Sequence, residues 1–171
     1  MKQGCIIVVV CPLKSISSDQ IKEAISMGIT ATSLSESLED VANGKFQLVF
    51  ASAEEVLDKE FTKVLKCKSK LLHKNLAALV VDECHTVKTW TGKRSTTKWK
   101  KSIAAFRASF GKLAVLHSLC KQGTPVAALT GTADEKTRST VKETLALKKD
   151  FLTVYVSPNR TNLTFSVQKV N

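Results

Sequence analysis

The amino-acid sequence predicts an α/β fold, with a mostly parallel sheet and helices on both of its faces. Its strand-like segments are near-continuous runs of Val, Ile and Leu, as in IIVVV at residues 6–10, which is typical of strands buried on both faces. Helix-like segments alternate with these runs. No internal repeat, low-complexity segment or Pro/Gly-rich linker divides the 171 residues, so a single domain is expected.

Seven short apolar runs are predicted to be strands: residues 6–11, 29–32, 46–51, 76–81, 126–130, 152–156 and 163–167. Five segments between them are predicted to be helices: residues 18–27, 36–43, 60–72, 99–122 with a break near Gly111, and 134–147. The last helix has a T-x-x-E start, in which Thr132 and Glu135 would satisfy the first free amides. This turn directly follows a strand, so it is expected at the carboxyl edge of the sheet, where open α/β sheets bind ligands.

Composition favours an intracellular globular domain. The chain is 43% hydrophobic, so it can bury a core without disulfides. Its five cysteines include no C-x-x-C pair and its histidines lack ligand spacing, so no zinc site is expected. No secretory signal is recognisable, and no apolar run approaches the ~20 residues needed to span a membrane.

The positive charge is concentrated in one part of the chain. The formal net charge is +11, and residues 84–133 contain no Asp or Glu. The basic residues of that segment are Lys88, Lys93, Arg94, Lys98, Lys100, Lys101, Arg107, Lys112 and Lys121. The segment is either a solvated basic face or a binding site for a polyanion.

Two adjacent carboxylates, Asp82 and Glu83, follow the predicted strand 76–81. Such a pair at a strand end suits phosphoryl chemistry, because one carboxylate can hold Mg²⁺ while the next orients or deprotonates the attacking water. Alternatively, the pair only ends a strand and faces solvent. Taken alone, it does not decide between these interpretations.

Four stretches occur in a characteristic order: VVVCPLKSISSDQI, FASAEEVL, VVDECH and ALTGTAD. Together they resemble the motif set of superfamily 2 helicases, and in particular the first RecA-like domain of the RecQ family of DNA helicases. The matching residues are Pro12, Leu13, Ser15, Asp19 and Gln20 (motif Ia); Gly28, Ile29 and Ala31 (the next strand); Ser52, Ala53 and Glu54 (motif Ib); Asp82, Glu83, Cys84 and His85 (the DExH box); Trp90 (aromatic-rich loop); Thr130, Gly131, Thr132 and Ala133 (motif III); and residues 159–163 (the closing R-P-N-L stretch). The motifs extend over nearly the whole chain.

The resemblance implies a RecA-like P-loop NTPase fold that uses ATP and Mg²⁺. By this resemblance Asp82 contacts the magnesium of MgATP and Glu83 polarises the hydrolytic water. His85 lies between the nucleotide and DNA sites, and Thr130 and Thr132 couple the two. All five residues are expected at the ligand-binding edge of the sheet.

The resemblance also implies DNA, single-stranded or forked, as the partner. Trp90 and Trp99 are interleaved with basic residues, which combines stacking surfaces with phosphate neutralisation. The predicted DNA-contacting residues are Trp90, Lys88, Lys93, Arg94, Lys98, Lys100, Lys101 and the motif Ib residue Ser52. In the alternative interpretation one tryptophan packs in the core and the lysines are only solvated.

The chain contains no G-x-x-x-x-G-K-[ST] phosphate loop, since none of its three Gly-Lys pairs has the upstream glycine or a following Ser or Thr. In the family this loop precedes motif Ia. Residues 1–171 are therefore expected to be one partial helicase ATP-binding domain, truncated at the N-terminus and running from motif Ia to just past motif III. The second RecA-like domain, with its arginine finger, is expected to be missing too. Thr91-Gly92-Lys93-Arg94 after Trp90 and Thr161 in place of proline depart from the family pattern.

The predicted function is that of an ATP-dependent 3′–5′ DNA helicase of RecQ type, active in DNA recombination and repair and represented here by a fragment. It would act in the nucleus of a eukaryote and otherwise in the cytoplasm. The alternative is a non-catalytic nucleic-acid-binding module derived from a helicase motor domain. Because nothing replaces the phosphate loop, the isolated chain is expected to be inactive as an ATPase.

Overall fold

The structure is a computed structural model that describes residues 4–86, 109, 111–157, 162–164 and 166, apart from the side chain of Lys14. Its elements are β1 (Ile6–Val10), α1 (Lys14–Ser26), β2 (Ala31–Ser33), α2 (Leu38–Ala42), β3 (Leu48–Ala51), α3 (Ala53–Leu57), α4 (Lys59–Lys66), α5 (Leu71–Asn75), β4 (Leu76–Val81), a 3₁₀ turn (Leu113–Val115), α6 (Leu116–Leu119), β5 (Val126–Ala128) and α7 (Glu135–Thr144). None of the described helices is long and apolar enough to cross a membrane.

The five strands form one parallel sheet in the order β2-β3-β1-β4-β5. The central strand β1 pairs with β3 on one side and with β4 on the other. Because all the strands run in the same direction, their carboxyl ends lie at one edge of the sheet. The predicted parallel α/β architecture is therefore confirmed.

Helices cover both faces of the sheet, as predicted. On one face the strand residues Ile6, Val8 and Val10 belong to the main core, in which they are joined by Leu65 of α4 and Val141 of α7. A second, smaller cluster lies on the opposite face. It consists of Cys11, Ala24 of α1, Ala31 and Phe50. Alternate residues of β1 are thus buried by different helices, which explains its unbroken apolar sequence.

The predicted helix 60–72 is wrong as a single element, because α4 ends at Lys66 and α5 begins at Leu71. Cys67 adopts an extended backbone conformation at the end of α4. The ring Nδ1 of His73 lies 2.6 Å from the carbonyl oxygen of Leu65. An imidazole N–H donated here satisfies a carbonyl that the interrupted helix leaves without an amide partner.

The predicted strand 152–156 is also wrong, since these residues form no strand. Leu152, Val154, Tyr155 and Val156 are between 72% and 87% exposed. A strand requires a hydrogen-bonded neighbour. Within the described part of the chain, β5 is the last strand at one edge of the sheet, and it pairs only with β4. The predicted strand 163–167 falls partly outside the described residues, as does the predicted helix 99–122.

The start of the last helix differs from the predicted T-x-x-E cap. The carboxylate of Asp134, not the hydroxyl of Thr132, accepts the amide hydrogen of Thr137 at 2.7 Å, and α7 begins at Glu135. The backbone of Thr132 is bonded instead to the hydroxyl of Thr130. Thr132 is thereby kept in the loop after β5.

Replacing Leu65 by alanine is expected to lower the free energy of unfolding by about 2–5 kcal/mol, because its side chain is fully buried and leaves a cavity. Leu71→Ala is the matched control, since this side chain is 46% exposed and loses less contact. Urea denaturation of both variants measures the difference. Equal losses for the two variants would contradict the packing described for α4.

Candidate active site

The DExH turn is attached to the carboxyl edge of the sheet by backbone hydrogen bonds on both sides of β4. The Asp82 amide donates to the carbonyl of Val10 in β1 at 2.9 Å. The Cys84 amide donates to the carbonyl of Leu129, which follows β5, also at 2.9 Å. The structure therefore places Asp82, Glu83 and His85 at the edge that the sequence predicted.

Glu83 has a left-handed backbone conformation, with a φ of 46°. This region is uncommon for residues other than glycine and persists where the surrounding structure holds it. Two hydrogen bonds hold it here: the Glu83 amide donates to Oδ1 of Asp82 at 2.8 Å, and the Thr86 amide donates to the Glu83 carbonyl at 3.0 Å. The turn thus fixes the direction in which the Glu83 side chain leaves the strand.

His85 is hydrogen-bonded to the loop after β5, 45 residues further along the chain. Its Nδ1 lies 2.8 Å from Oγ1 of Thr130. The same hydroxyl donates to the Thr132 carbonyl at 3.0 Å and accepts the Thr132 amide at 3.2 Å. Since a hydroxyl has one proton, which is committed to the carbonyl, Oγ1 accepts from an Nδ1–H of His85. The DExH turn is therefore in direct contact with Thr130, which in turn is hydrogen-bonded to Thr132.

Glu83 retains an unused acceptor next to this contact. Its Oε2 is buried and accepts no hydrogen bond from the described residues, although it lies 3.0 Å from Nδ1 of His85. With the Nδ1 proton directed to Thr130, that contact is an ion pair only when the imidazole is protonated. A buried oxygen without a donor costs about 1–3 kcal/mol, so a water molecule or another donor is favoured at this position.

The thiol of Cys84, inside the DExH turn, is a packing group. Its side chain belongs to the main core and is 2% exposed. Burial raises the pKa of the Cys84 thiol to about 11, and the neighbouring Glu83 and Asp82 carboxylates add to the shift. Because the thiolate is the reactive form, this cysteine is not suited to nucleophilic catalysis.

A cleft of about 170 Å³ lies beside the DExH turn at the same edge of the sheet. Its lining residues are Cys11, Ser17, Ser18, Ile21, Ser33, Ser35, Glu36, Phe50, Ala51, Ser52 and Glu55. Burial, partly offset by a hydrogen bond from Ser17 and reinforced by the Asp82 carboxylate, raises the pKa of the Cys11 thiol to about 11. Cys11 directly follows Val10, whose carbonyl accepts the Asp82 amide at 2.9 Å, so the cleft and the DExH turn are adjacent.

Ser52, predicted to contact DNA, lines this cleft at the start of α3. Its hydroxyl accepts the Glu55 amide at 3.3 Å, and the Glu55 carboxylate accepts the Ser52 amide at 2.7 Å, which completes a capping box. The hydroxyl acts as acceptor in this box, so its proton can be directed into the cleft. Ser17, Ser33 and Ser35 also line the cleft and were not predicted to do so; they lie in serine-rich stretches, which are the signal in the sequence that points to them.

Most of the predicted DNA-contacting residues lie outside the described part of the chain. These are Lys88, Trp90, Lys93, Arg94, Lys98, Lys100 and Lys101. Their assignment stays a prediction. Within the described residues there is no group of three or more His, Cys, Asp and Glu side chains placed to hold a metal ion.

Thr130→Val is expected to change the nitrogen chemical shifts of the His85 ring, because valine cannot accept the Nδ1 proton and the acceptor that remains is Oε2 of Glu83, 3.0 Å from Nδ1. Nitrogen chemical shifts of the His85 ring measure the tautomer directly. Thr62→Val is the control, since its hydroxyl donates only to the nearby Lys59 carbonyl. Unchanged His85 shifts in Thr130→Val would contradict the hydrogen bond described here.

Comparison with known proteins connects this geometry to a family. No protein-family model matches the chain. It is 32% identical over 171 residues to the ATP-dependent helicase wrn-1 of Caenorhabditis elegans, covering 94% of this chain and 14% of that protein. It is 29% identical to the ATP-dependent helicase SGS1 of Saccharomyces cerevisiae, covering 95% of this chain and 11% of that protein. With the ATP-dependent DNA helicase RecQ of Pasteurella multocida the identity is 27%, over 93% of this chain and 23% of that protein.

Solved structures share the fold. The helicase domain of Hef from Pyrococcus furiosus has a TM-score of 0.52 and 14% identity, covering 85% of this chain and 28% of that chain. The helicase MrfA bound to DNA and AMPPNP has a TM-score of 0.51 and 15% identity, covering 83% of this chain and 20% of that chain. The RecA-like helicase fold is therefore confirmed, and so is the resemblance to the RecQ family. The chain spans only 11% to 23% of the length of the three relatives named above.

Proposed function

We propose, from the chain's similarity to RecQ-family helicases over nearly its whole length, that it supplies the hydrolytic and coupling part of an ATP-dependent 3′–5′ DNA helicase motor. The observation that carries this proposal is the contact between the DExH turn and the loop after β5. There Glu83, His85, Thr130 and Thr132 meet at the carboxyl edge of a parallel sheet. An edge of this kind is where α/β sheets bind nucleotides.

The side chains of the DExH turn suit ATP with Mg²⁺. Asp82 is partly exposed and accepts the Glu83 amide through Oδ1, so a second oxygen remains for a ligand. Mg²⁺ is commonly held by one or two carboxylates together with phosphate oxygens and waters, so a three-residue cluster is not required. Bound there, the metal would neutralise phosphate charge. Asp82 is the residue that would hold it.

Glu83 and His85 have the two remaining roles, in hydrolysis and in coupling respectively. The Glu83 side chain is 40% exposed and its Oε2 accepts no hydrogen bond from the described residues, so the carboxylate suits a water that it would orient and partly deprotonate. Nδ1 of His85 lies 3.0 Å from this carboxylate and 2.8 Å from Oγ1 of Thr130, so His85 is the residue that would transmit a change from one loop to the other. In the proposed motor this link couples nucleotide hydrolysis to DNA.

The proposed DNA path follows the carboxyl edge past Ser52. At the cleft beside the DExH turn, the hydroxyl of Ser52 acts as acceptor in its capping box and can donate its proton to a phosphate, whereas the carboxylates of Glu36 and Glu55 line the same cleft and repel one. Residues 88–101 follow the DExH box directly and contribute lysines, an arginine and two tryptophans. These are the residue types that bind single strands.

The isolated 171-residue chain is expected to hydrolyse no ATP above background, because no phosphate loop is encoded in it. It is expected to bind single-stranded DNA weakly and with strong salt dependence. Phosphate release, with and without DNA, measures the first expectation. DNA-stimulated hydrolysis that disappears in Glu83→Gln would contradict it.

A second candidate function is a non-catalytic nucleic-acid-binding module. The observation that favours it is the formal net charge of +11, together with the lack of Asp and Glu at residues 84–133. Under this function Glu83→Gln leaves nucleic-acid binding unchanged, whether or not a phosphate loop is supplied to the chain. The helicase function instead requires Glu83 once a phosphate loop is supplied.

The helicase proposal has implications for the whole protein. It includes a second RecA-like domain in the same polypeptide and action on single-stranded or forked DNA. The site of action is the nucleus if the source is a eukaryote and otherwise the cytoplasm.

A further inference from the structure

A second basic surface lies on α4, α5 and the turn between them. Residues 61–81 contain no Asp or Glu but five lysines. One of these, Lys63, is paired with Glu60 at 2.6 Å. The other four are Lys66, Lys68, Lys70 and Lys74, and we refer to them as the lysine surface. Three of them are exposed and Lys70 is half-buried.

The four lysines have no competing carboxylate. Within the described residues none of them lies within ion-pair distance of an Asp or Glu. The neighbouring helix α2 packs against α4 and α5, and both of its carboxylates act on Lys45: Asp40 is paired with it at 2.6 Å and, with a smaller contribution from Glu39, raises its pKa. The positive charge of the lysine surface is therefore available to a partner.

The backbone that carries these lysines is well fixed. Asp58 caps α4 by accepting the Glu60 amide at 2.8 Å, and the His73 ring contacts the carbonyl of Leu65 at 2.6 Å. Leu65 and Leu72 anchor the two helices in the core. A partner therefore meets four charges whose backbone positions are held by packing.

The lysine surface is distant from the candidate active site. Helix α5 leads directly into Leu76, the first residue of β4, whereas Asp82 follows its last residue. Six strand residues span roughly 20 Å, which corresponds to about six base pairs of duplex. A nucleic-acid strand that follows the carboxyl edge therefore stays roughly 20 Å from the lysine surface, which lies at the start of β4.

We propose that the lysine surface binds the phosphate backbone of a second nucleic-acid segment, at the edge of the sheet opposite the DExH turn. This proposal rests on the proposed DNA helicase function, since that function makes nucleic acid the partner. Mobile lysines without a fixed counter-charge suit a phosphate backbone read without regard to sequence. A membrane fits less well, because α4 and α5 have eight and five residues and Leu71 is the one large apolar side chain exposed among the described residues of these helices.

Cys67, between Lys66 and Lys68, is a built-in reporter of occupancy. Hydrogen bonding to Ser69, with the positive charge of Lys70 contributing, lowers the pKa of the Cys67 thiol. Burial raises the pKa of the Cys120 thiol to about 11. Alkylation at neutral pH is therefore expected to be faster at Cys67 than at Cys120.

The test measures alkylation of each cysteine by mass spectrometry, with and without a forked DNA oligonucleotide. DNA is expected to slow alkylation of Cys67 by about fivefold or more and to leave Cys120 within about twofold. In parallel, DNA affinity is measured against salt for a variant with Lys66, Lys68, Lys70 and Lys74 replaced by Gln. Its matched control has Lys22, Lys136, Lys148 and Lys149 replaced by Gln, which removes four exposed charges elsewhere.

The lysine-surface variant is expected to bind about tenfold more weakly, with a salt slope shallower by about 3, since each phosphate contact contributes roughly 0.7–0.9. The control variant is expected to bind within about twofold of the original chain. Equal losses in both variants, or unprotected Cys67 at saturating DNA, would overturn the proposal. Circular dichroism verifies that both variants are folded.

Three further outcomes separate this proposal from others. If vesicles of phosphatidylserine and phosphatidylcholine bind through the four lysines and DNA does not, the proposed DNA site is overturned in favour of a membrane site. DNA that binds with unchanged affinity and salt slope when the four lysines are neutralised overturns the lysine surface and leaves the helicase function standing. If DNA protects Cys67 although ATP hydrolysis cannot be restored to the chain, the lysine surface is supported and only the helicase function is contradicted.

Discussion

Glu83→Gln is expected to abolish DNA-stimulated ATP hydrolysis, by at least about 100-fold, in a protein whose phosphate loop is restored. General-base catalysis contributes about 10²–10⁴-fold, and glutamine cannot take a proton. The protein for this test is a chimera in which the phosphate-loop segment of Pasteurella multocida RecQ precedes the chain and the remainder of that helicase follows it. Phosphate release with saturating single-stranded DNA is the measurement.

The control for this experiment is Glu143→Gln, an exposed carboxylate on α7 that lies outside the DExH turn. It is expected to retain the rate of the chimera. ATP binding by Glu83→Gln is expected to persist, since the predicted role of Glu83 concerns the water and not the nucleotide. A chimera that is inactive with Glu83 in place, although it binds ATP and DNA, would favour the non-catalytic module.

Neutralising the basic segment is expected to have the second-largest effect. Replacing Lys93, Arg94, Lys98, Lys100 and Lys101 by Gln removes five charges from a segment without acidic residues. If all five contact phosphates, the salt slope of single-strand binding falls by up to about 3.5, at roughly 0.7 per contact. Fluorescence anisotropy of a labelled oligonucleotide at several salt concentrations measures both the affinity and the slope.

The matched control removes five exposed lysines elsewhere: Lys22, Lys59, Lys136, Lys148 and Lys149. It is expected to change the salt slope by less than 1. Trp90→Ala tests stacking separately and is expected to cost about 1–3 kcal/mol of binding without changing the slope. An unaltered slope in the basic-segment variant would show that the predicted DNA contacts are wrong.

Strand β4 shows how far local sequence information extends. The predicted strand 76–81 coincides with the observed Leu76–Val81, because a run of buried apolar residues ends at two carboxylates that belong at the sheet edge. Its neighbours β1 and β5 were predicted with ends one or two residues too long. Strand ends depend on where the partner strand stops, which a single sequence does not contain.

Two of the wrong predictions have a common physical cause. The segments 60–72 and 152–156 have the composition of a helix and a strand, respectively, but their surroundings decided otherwise. The ring of His73 is hydrogen-bonded to the Leu65 carbonyl at the end of α4, which lowers the free-energy cost of interrupting the helix there. The segment 152–156 lacks a hydrogen-bonded strand neighbour within the described residues. Both outcomes depend on contacts between residues that local propensity does not describe.

The sequence by itself determined the class of fold, the order of the motifs and the identity of the DExH and motif III residues, because apolar runs and short motifs are local properties. Only the tertiary structure decided that Glu83 is left-handed, that its Oε2 lacks a donor, and that His85 bonds to Thr130 across 45 residues. The parallel pairing of β4 with β5 brings these loops together. Distances between loops follow from that pairing, and a linear pattern of residue types does not contain them.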